Sequence, residues 1–282
     1  MFRILQVLVL FFTSLLLSGC DTPEQKKPVW DEVSFGDLTA ADNYPIPRPQ
    51  PLNTINFDVH IFEIPFDNVG KLNNVWNSLY SRPIRFNSYR AFTTNSFMAR
   101  FGQAQMWDKI QEQLASAGGQ RALKISLLMS DNRSNDITIS GLDKQQSVYY
   151  ISAEGAKGTA DIGPGMLVLR IKAVKVAGSE GLCIFVAQPV FTQPIRSLIP
   201  ELAERAKLNE YIFSSAAFGL KISPGDFVVL GPENYDSSRS TLGGLFFGKP
   251  EGTLFFNNTE RKMPEHKPAV RVLMLVCTGI GN

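Results

Sequence analysis

The side chains best suited to nucleophilic, acid–base or zinc chemistry in this sequence are its cysteines and histidines. They are Cys20, His60, Cys183, His266 and Cys277. Their spacing contains neither H-E-x-x-H nor C-x-x-C, so the sequence predicts no zinc or other metal site. Walker, G-x-S-x-G and S-x-x-K motifs are also missing from the sequence. Because no nucleophile, base and orienting group can be proposed together, we expect no catalytic residue and no cofactor.

The first twenty residues combine the features of a secretory signal with a cysteine at its end. Arg3 gives the segment a positive charge, and an apolar run from Ile4 to Leu17 follows. A membrane-spanning helix needs roughly 20 apolar residues, so this shorter run fits the apolar region of a signal peptide better. The sequence Leu17-Ser18-Gly19-Cys20 then resembles the lipobox of bacterial lipoproteins.

That resemblance implies cleavage before Cys20, which makes residues 1–19 a signal peptide, and attachment of a diacylglyceryl group to the Cys20 thiol. It also implies acylation of the new amino group by a fatty acid such as palmitate. Each buried CH₂ contributes about 0.8 kcal/mol, so two or three chains hold a protein firmly on a membrane. We therefore expect a cell-envelope lipoprotein whose body lies on the periplasmic or extracytoplasmic side. The alternative is an uncleaved signal anchor in which Cys20 is there by chance.

The composition favours a folded body that does not bind nucleic acid. Hydrophobic residues make up 44% of the chain, and the formal net charge is only +2. Cys183 and Cys277 both lie inside apolar runs of this body. Two states of these cysteines are open: a disulfide, which export makes chemically possible, or buried thiols that behave as small apolar side chains.

Residues 20–55 predict a lipidated cysteine followed by a proline-rich tether. Proline occupies every second position from Pro45 to Pro51. This pattern favours extended polyproline geometry, which reaches about 3.1 Å per residue and would lift the body off the bilayer. The alternative is that part of the segment packs along the body, because it also contains Trp30 and Phe35.

Residues 56–119 predict a small module of the order β-α-β-β-α. Phe57, Val59 and Ile61 alternate with other residues at strand spacing. Asp67 is expected to cap the first helix. The expected inner faces of the two helices are Val69, Leu72, Val75, Trp76 and Leu79, and then Met106, Trp107, Ile110 and Leu114. Gly118-Gly119 is expected to end the second helix, and we interpret both tryptophans as packing residues.

Residues 120–282 predict a mostly antiparallel β domain, so the expected fold class is α+β. Strand-like runs are separated by glycine and proline turns, and Met166 to Phe191 has the pattern of a hairpin. One helix is expected to begin at Pro200. The run from Val270 to Cys277 is apolar at both alternating sets of positions, which predicts a central strand covered on both faces.

Four stretches of the C-terminal half resemble the β domain of bacterial secretins, the ring-forming channels of secretion and pilus systems. They are Asp161–Leu169, Gly181–Val190, Gly225–Leu230 with Ser240–Leu245, and Val270–Val276. The module over 56–119 also resembles the ring-building modules found upstream of secretin pores. The family's long proline- and glycine-rich signature after the G-G-L step is missing, and residues 246–261 stand in its place.

These features favour a non-enzymatic envelope lipoprotein that acts as a secretin-derived structural or protein-interaction scaffold. Its expected partners are the membrane, through lipid at Cys20, and other envelope proteins or further copies of the chain. The alternative is a component of a multimeric, secretin-like secretion or pilus channel. A third hypothesis is an enzyme or solute-binding protein, in which scattered carboxylates such as Asp226 and Glu233 meet in space.

Overall fold

The computed structural model describes residues 54–193, 210–234, 241–256 and 264–281. Cys20, the tether up to residue 53 and the helix expected from Pro200 lie outside these residues. Contacts within the chain place residues 51–282 in one unit, which contains all of the described residues. Within the described ranges, no helix is long and apolar enough to cross a membrane.

Antiparallel strands dominate the described residues. The strands are β1 (Thr54–Pro65), β2 (Arg85–Phe86), β3 (Phe97–Gly102), β4 (Gln120–Ser130), β5 (Ser134–Leu142), β6 (Gln146–Ile151), β7 (Lys157–Ile162), β8 (Gly165–Lys175), β9 (Cys183–Thr192), β10 (Tyr211–Ile212), β11 (Phe218–Ile222), β12 (Phe227–Pro232), β13 (Gly248–Phe255) and β14 (Glu265–Ile280). The helices are α1 (Leu72–Ser78), α2 (Tyr89–Thr94), α3 (Trp107–Ser116) and α4 (Leu242–Phe247). Short 3-10 turns cover Phe66–Lys71, Ala104–Met106 and Ser214–Ala216.

The strands form two sheets and a separate hairpin. The first sheet has the order β3-β12-β14-β1-β4, and β13 pairs with the early part of β14. The second sheet has the order β2-β11-β9-β8-β5, and β10 pairs with β9. Strands β6 and β7 pair with each other to form the hairpin. The hairpin predicted over Met166 to Phe191 is confirmed, because β8 and β9 pair along their length.

Strand β14 is the buried centre of the first sheet. It pairs with β1 on one side and with β12 and β13 on the other. Its even-numbered residues from 270 to 274 pack with the helices, and its odd-numbered residues from 273 to 277 pack in the core between the sheets. A strand covered on both faces needs apolar residues at nearly every position. The predicted central strand is therefore confirmed.

Helices α1 and α3 cover the outer face of the first sheet. Leu72 and Trp76 of α1, and Ile110 and Leu114 of α3, are buried in this helix-side core. Each pair is four residues apart, which places its members on one face of a helix. The inner faces predicted for both helices are thus confirmed. Helix α3 ends before Gly118, whose φ of +74° suits the left-handed conformation that glycine adopts readily.

The structure agrees with the α+β prediction at the coarse level of a β-rich, antiparallel fold with few helices. It does not separate a module over 56–119 from a domain over 120–282, because β1 pairs with both β4 and β14, and β3 pairs with β12. The order β-α-β-β-α also differs, since α2 lies between β2 and β3. Strand β2 joins the second sheet, whereas β1 and β3 join the first.

Several local predictions need correction. Asp67 does not cap a helix; it lies in the first turn of a 3-10 segment whose N-cap is Pro65, without a side-chain cap. Helix α2 was not predicted because its six residues are too few to show a helical period, although the Ser88 hydroxyl accepts a bond from the Ala91 amide. The G-G-L step lies at the start of helix α4, not in a strand.

Candidate functional site

The two cysteines of the described body lie together in the core between the sheets. Cys183 is on β9 of the second sheet and Cys277 is on β14 of the first, and both are buried and free. Their side chains share a hydrogen bond, which together with burial raises the pKa of the Cys277 thiol. Of the two states left open by the sequence, the structure shows free thiols, and it places them side by side.

His60 on β1 is a buried side chain that packs against an aromatic ring. Its ring centroid lies 5.2 Å from that of Trp107, and its Nδ1 has no hydrogen-bond partner among the described residues. Burial, followed by the positive charges of Lys124 and Arg121, lowers the pKa of His60 below its ordinary value. The imidazole is therefore neutral at pH 7.

The neighbours of His60 do not form a catalytic triad. The Ser126 hydroxyl donates a 2.6 Å hydrogen bond to Asp58 Oδ1, and Lys124 Nζ lies 2.8 Å from Asp58 Oδ2. A Ser-His-Asp relay places the imidazole between hydroxyl and carboxylate, whereas here the hydroxyl bonds the carboxylate directly. His266 lies exposed on β14.

The carboxylates considered from the sequence have local explanations. Asp226 Oδ2 accepts a 3.1 Å hydrogen bond from the Ser223 amide, as is typical of an aspartate in a turn. Burial raises the pKa of Glu233, and Arg100 partly offsets this effect. In the part of the chain that the structure describes, no group of three or more His, Cys, Asp and Glu side chains could hold a metal ion.

A groove of about 670 Å³ opens between β4, at the edge of the first sheet, and β5, at the edge of the second. Strands β1, β13 and β14, together with Phe256 just after β13, contribute the rest of its lining. We call it the edge groove. The charged and the exposed apolar side chains of its lining are Glu63, Arg121, Leu123, Lys249, Leu254, Phe256 and Arg271. Three lining residues carry a positive charge and one carries a negative charge, so the edge groove is basic.

Glu63 is a buried carboxylate held between two cations. It stands opposite Arg271 in the register of β1 and β14, and its side chain is only 6% exposed. Lys249 Nζ donates to Glu63 Oε1 at 2.8 Å, and Arg271 Nε lies 3.9 Å from the same oxygen. Because an ionised carboxylate is costly to bury without compensation, these contacts hold all three charges in place beside the groove.

A bulge in β13 places Lys249 in this cluster. The register of β13 with β14 shifts after Lys249. Gly252 within the bulge has φ +78°, and an added Cβ would lie 2.6 Å from the Lys267 carbonyl oxygen, so only glycine fits there. Gln120 Nε2 then donates a 2.6 Å hydrogen bond to the Leu254 carbonyl, which ties β4 to β13.

Strand β4 is an open edge of the first sheet within the described residues. It pairs with β1, and residues 121–129 form no backbone hydrogen bond on their other side with any described residue. Leu123 is 49% exposed and Leu128 is 70% exposed, while Phe256 in the edge groove is 66% exposed. Proteins usually blunt such an edge with charge or proline. Here Lys124 is paired with a carboxylate of β1, so Arg121 near the start of the strand is the charge that remains beside the exposed leucines.

No family model, curated protein or solved structure matches this chain. Sequence reasoning missed the charged cluster because Glu63 and Lys249 are 186 residues apart in the chain. One signal was present: Arg271 is the single charge in the apolar run from Val270 to Cys277, and a charge in a buried strand requires a partner.

Proposed function

We propose that the protein is a lipoprotein of the bacterial cell envelope that acts as a non-enzymatic, protein-binding scaffold. The observation that carries this proposal is the open edge of β4 beside the edge groove. An unpaired strand with exposed apolar side chains is a surface to which other chains bind. The signal sequence and the lipobox resemblance support the location: a lipid anchor at Cys20, with the body on the periplasmic or extracytoplasmic side.

A non-enzymatic role is supported by how the reactive groups of the described residues are engaged. His60 packs against Trp107, and Glu63 is shared by two cations. The thiols of Cys183 and Cys277 are free, buried in the core and hydrogen-bonded to each other. None of these groups combines exposure with a partner that would activate it for acid–base or nucleophilic chemistry.

Site-specific photo-crosslinking in intact cells tests the binding role. A benzophenone amino acid is introduced in place of Leu123, at the edge groove, and in a second protein in place of Tyr149, an exposed residue of β6. We expect a discrete adduct with an envelope protein from position 123 and none from position 149. Adducts of equal yield from both positions, or no adduct from position 123, would contradict the scaffold proposal.

Metabolic labelling with radioactive palmitate tests the proposed location. Because Cys20 is the residue that matches the lipobox cysteine, Cys20→Ser should abolish the label and leave an uncleaved precursor. Cys183→Ser is the matched control, since that thiol is buried in the core and should not accept lipid. Normal processing of the Cys20→Ser protein would contradict the lipoprotein assignment.

A component of a secretin-like channel is the alternative proposal. The stretches that resemble secretins fall mainly on β8 and β9 of the second sheet and on β12 and β14 of the first. Negative-stain images of detergent-extracted protein distinguish the two proposals. Large rings favour the channel, and small particles favour the scaffold.

A further inference from the structure

We propose that the edge groove binds an extended, acidic segment of a partner protein, which adds to the first sheet as a strand beside β4. This inference rests on the proposed scaffold function and specifies the chemistry of the partner. Three properties of the described residues lead to it: the unpaired backbone of β4, the excess of positive charge in the groove, and the exposed apolar side chains around it.

The unpaired backbone selects an extended partner. Strand β4 has 11 residues, and its only strand partner among the described residues is β1. Every second residue of an antiparallel edge strand directs its N–H and C=O groups outward. A peptide in extended conformation satisfies these groups in a regular ladder, whereas a helix or a compact loop leaves most of them without a partner.

The charge balance selects an acidic partner. Lys249 and Arg271 share one buried carboxylate, Glu63, and Arg121 adds a third positive charge at β4. The nearest further carboxylate is Glu251, which lies 3.8 Å from Arg271 and is strongly exposed to solvent. Arg121 is the groove cation that forms no ion pair with these carboxylates, and a carboxylate on the incoming strand would pair with it in a partly desolvated groove, where opposite charges attract more strongly than in bulk water.

The exposed apolar side chains of the groove determine where the partner strand needs apolar residues. Leu123, Leu254 and Phe256 expose apolar surface in the edge groove. The residues of an added strand alternate between the two faces of a sheet, so every second residue would turn toward the groove. Acidic and apolar residues of the partner therefore both need positions on the groove-facing side, with carboxylates near Arg121 and apolar residues near Leu123.

Fluorescence anisotropy on the full mature lipoprotein in detergent tests this inference. The probe is a labelled peptide with the sequence Thr-Glu-Thr-Val-Thr-Glu-Thr, in which both glutamates and the valine lie on one face of the strand, and the control peptide has lysine at both glutamate positions. Because the groove is basic, we expect the acidic peptide to bind at least about tenfold more tightly, with an affinity that falls as salt rises. Equal affinities of the two peptides, or no binding of either, would overturn the inference.

Two changes separate the charge from the backbone contribution. Arg121→Glu should lower the affinity for the acidic peptide and raise the affinity for the lysine peptide, each by about tenfold. Lys221→Glu, on the exposed side of β11, should change neither affinity. An acidic peptide that is N-methylated at alternate residues cannot form the backbone ladder, so it should lose measurable binding. Retained binding of the methylated peptide would overturn strand addition.

Other occupants of the groove would give different results. If a second copy of the chain fills it, the native mass is that of a dimer and Arg121→Glu dissociates it. If the protein's own N-terminal segment fills it, changing Asp31→Asn, Glu32→Gln and Asp37→Asn together raises peptide affinity. Either result would overturn the partner assignment.

Crosslinking from position 123 in cells would still report a scaffold if peptide binding failed, so the two proposals can fail separately.

Discussion

The two edges of the first sheet differ in how their backbones are covered. At the β3 edge, Tyr80 exchanges two backbone hydrogen bonds with Phe101, of 2.9 and 2.8 Å. At the β4 edge, residues 121–129 form no comparable bond with any described residue. The covered edge has 6 residues and the open edge has 11.

This difference shows that the open edge is a local property of β4 and not a consequence of the fold. Both strands belong to one sheet and both border the same core. The chain closes one edge with a single bridging residue, and the other, longer edge carries exposed leucines next to a basic groove. A long unpaired edge with exposed leucines carries a risk of aggregation, and its presence supports the proposed binding role.

Removing β14 should unfold the first sheet and so remove both of its edges, which is the largest effect that we expect. Deletion of residues 270–282 removes the strand that joins β12 to β1. Each fully buried large side chain contributes about 1.5 to 3 kcal/mol, and a typical domain is stable by only about 5 to 15 kcal/mol. The truncated protein should be insoluble or degraded. A soluble product with an unchanged circular dichroism spectrum would show that β14 is peripheral.

Neutralising Glu63 should destabilise the open side of the sheet. Glu63→Gln leaves Lys249 and Arg271 without the buried carboxylate that they share. Because both cations are partly exposed, we expect a loss of about 1–3 kcal/mol of unfolding free energy in urea titrations, less than for a fully buried pair. The matched control is Glu251→Gln, whose exposed pair with Arg271 should contribute less than about 1 kcal/mol. Equal losses in the two proteins would contradict the role given to Glu63.

Removing the backbone bridge at the β3 edge should make this edge behave more like the open β4 edge. Tyr80→Pro removes the amide that donates to the Phe101 carbonyl, so unfolding free energy should fall by about 0.5–1.5 kcal/mol. Tyr80→Phe keeps the backbone bonds and is the matched control. We also expect Tyr80→Pro to increase self-association in sedimentation experiments, since it frees a second edge. Identical stabilities of the two proteins would indicate that the bridge does not protect β3.

His60 should give the smallest effect, a weak dependence of stability on pH. Burial lowers the pKa of the folded imidazole, whereas the unfolded chain titrates near the ordinary value of 6.5. Below pH 6.5 the unfolded state therefore binds more protons, and stability falls as the pH falls. His60→Leu should reduce this slope below pH 6.5. An unchanged slope in the His60→Leu protein would contradict the burial argument.

The sequence predicted those elements that are long enough to show a periodic apolar pattern. The two-faced run of β14, the β8–β9 hairpin and the inner faces of α1 and α3 all follow from local spacing. The six-residue helix α2 and the short strand β2 are too brief for that signal. The sequence also could not show that β1 and β3 share a sheet with β12 and β14, because such pairings join distant parts of the chain.

The candidate site was harder to predict than the fold. Glu63, Lys249 and Arg271 come from separate strands, and only tertiary pairing brings them together. Strand β4 is an open edge because no described strand pairs with its second side, and a local sequence pattern does not reveal whether a partner strand is present. Cys183 and Cys277 were recognised as core residues from their apolar neighbours, but their mutual contact depends on the packing of β9 against β14.

Hydrogen exchange at the two edges tests the central claim most directly. The protein is labelled in isolated envelope membranes and again after purification in detergent, and exchange is compared over residues 120–130 and 97–102. If β4 is the binding edge, its residues exchange more slowly in the membranes than in the purified protein, while β3 exchanges at the same rate in both. Equal exchange of β4 in the two preparations would contradict a binding role for this edge.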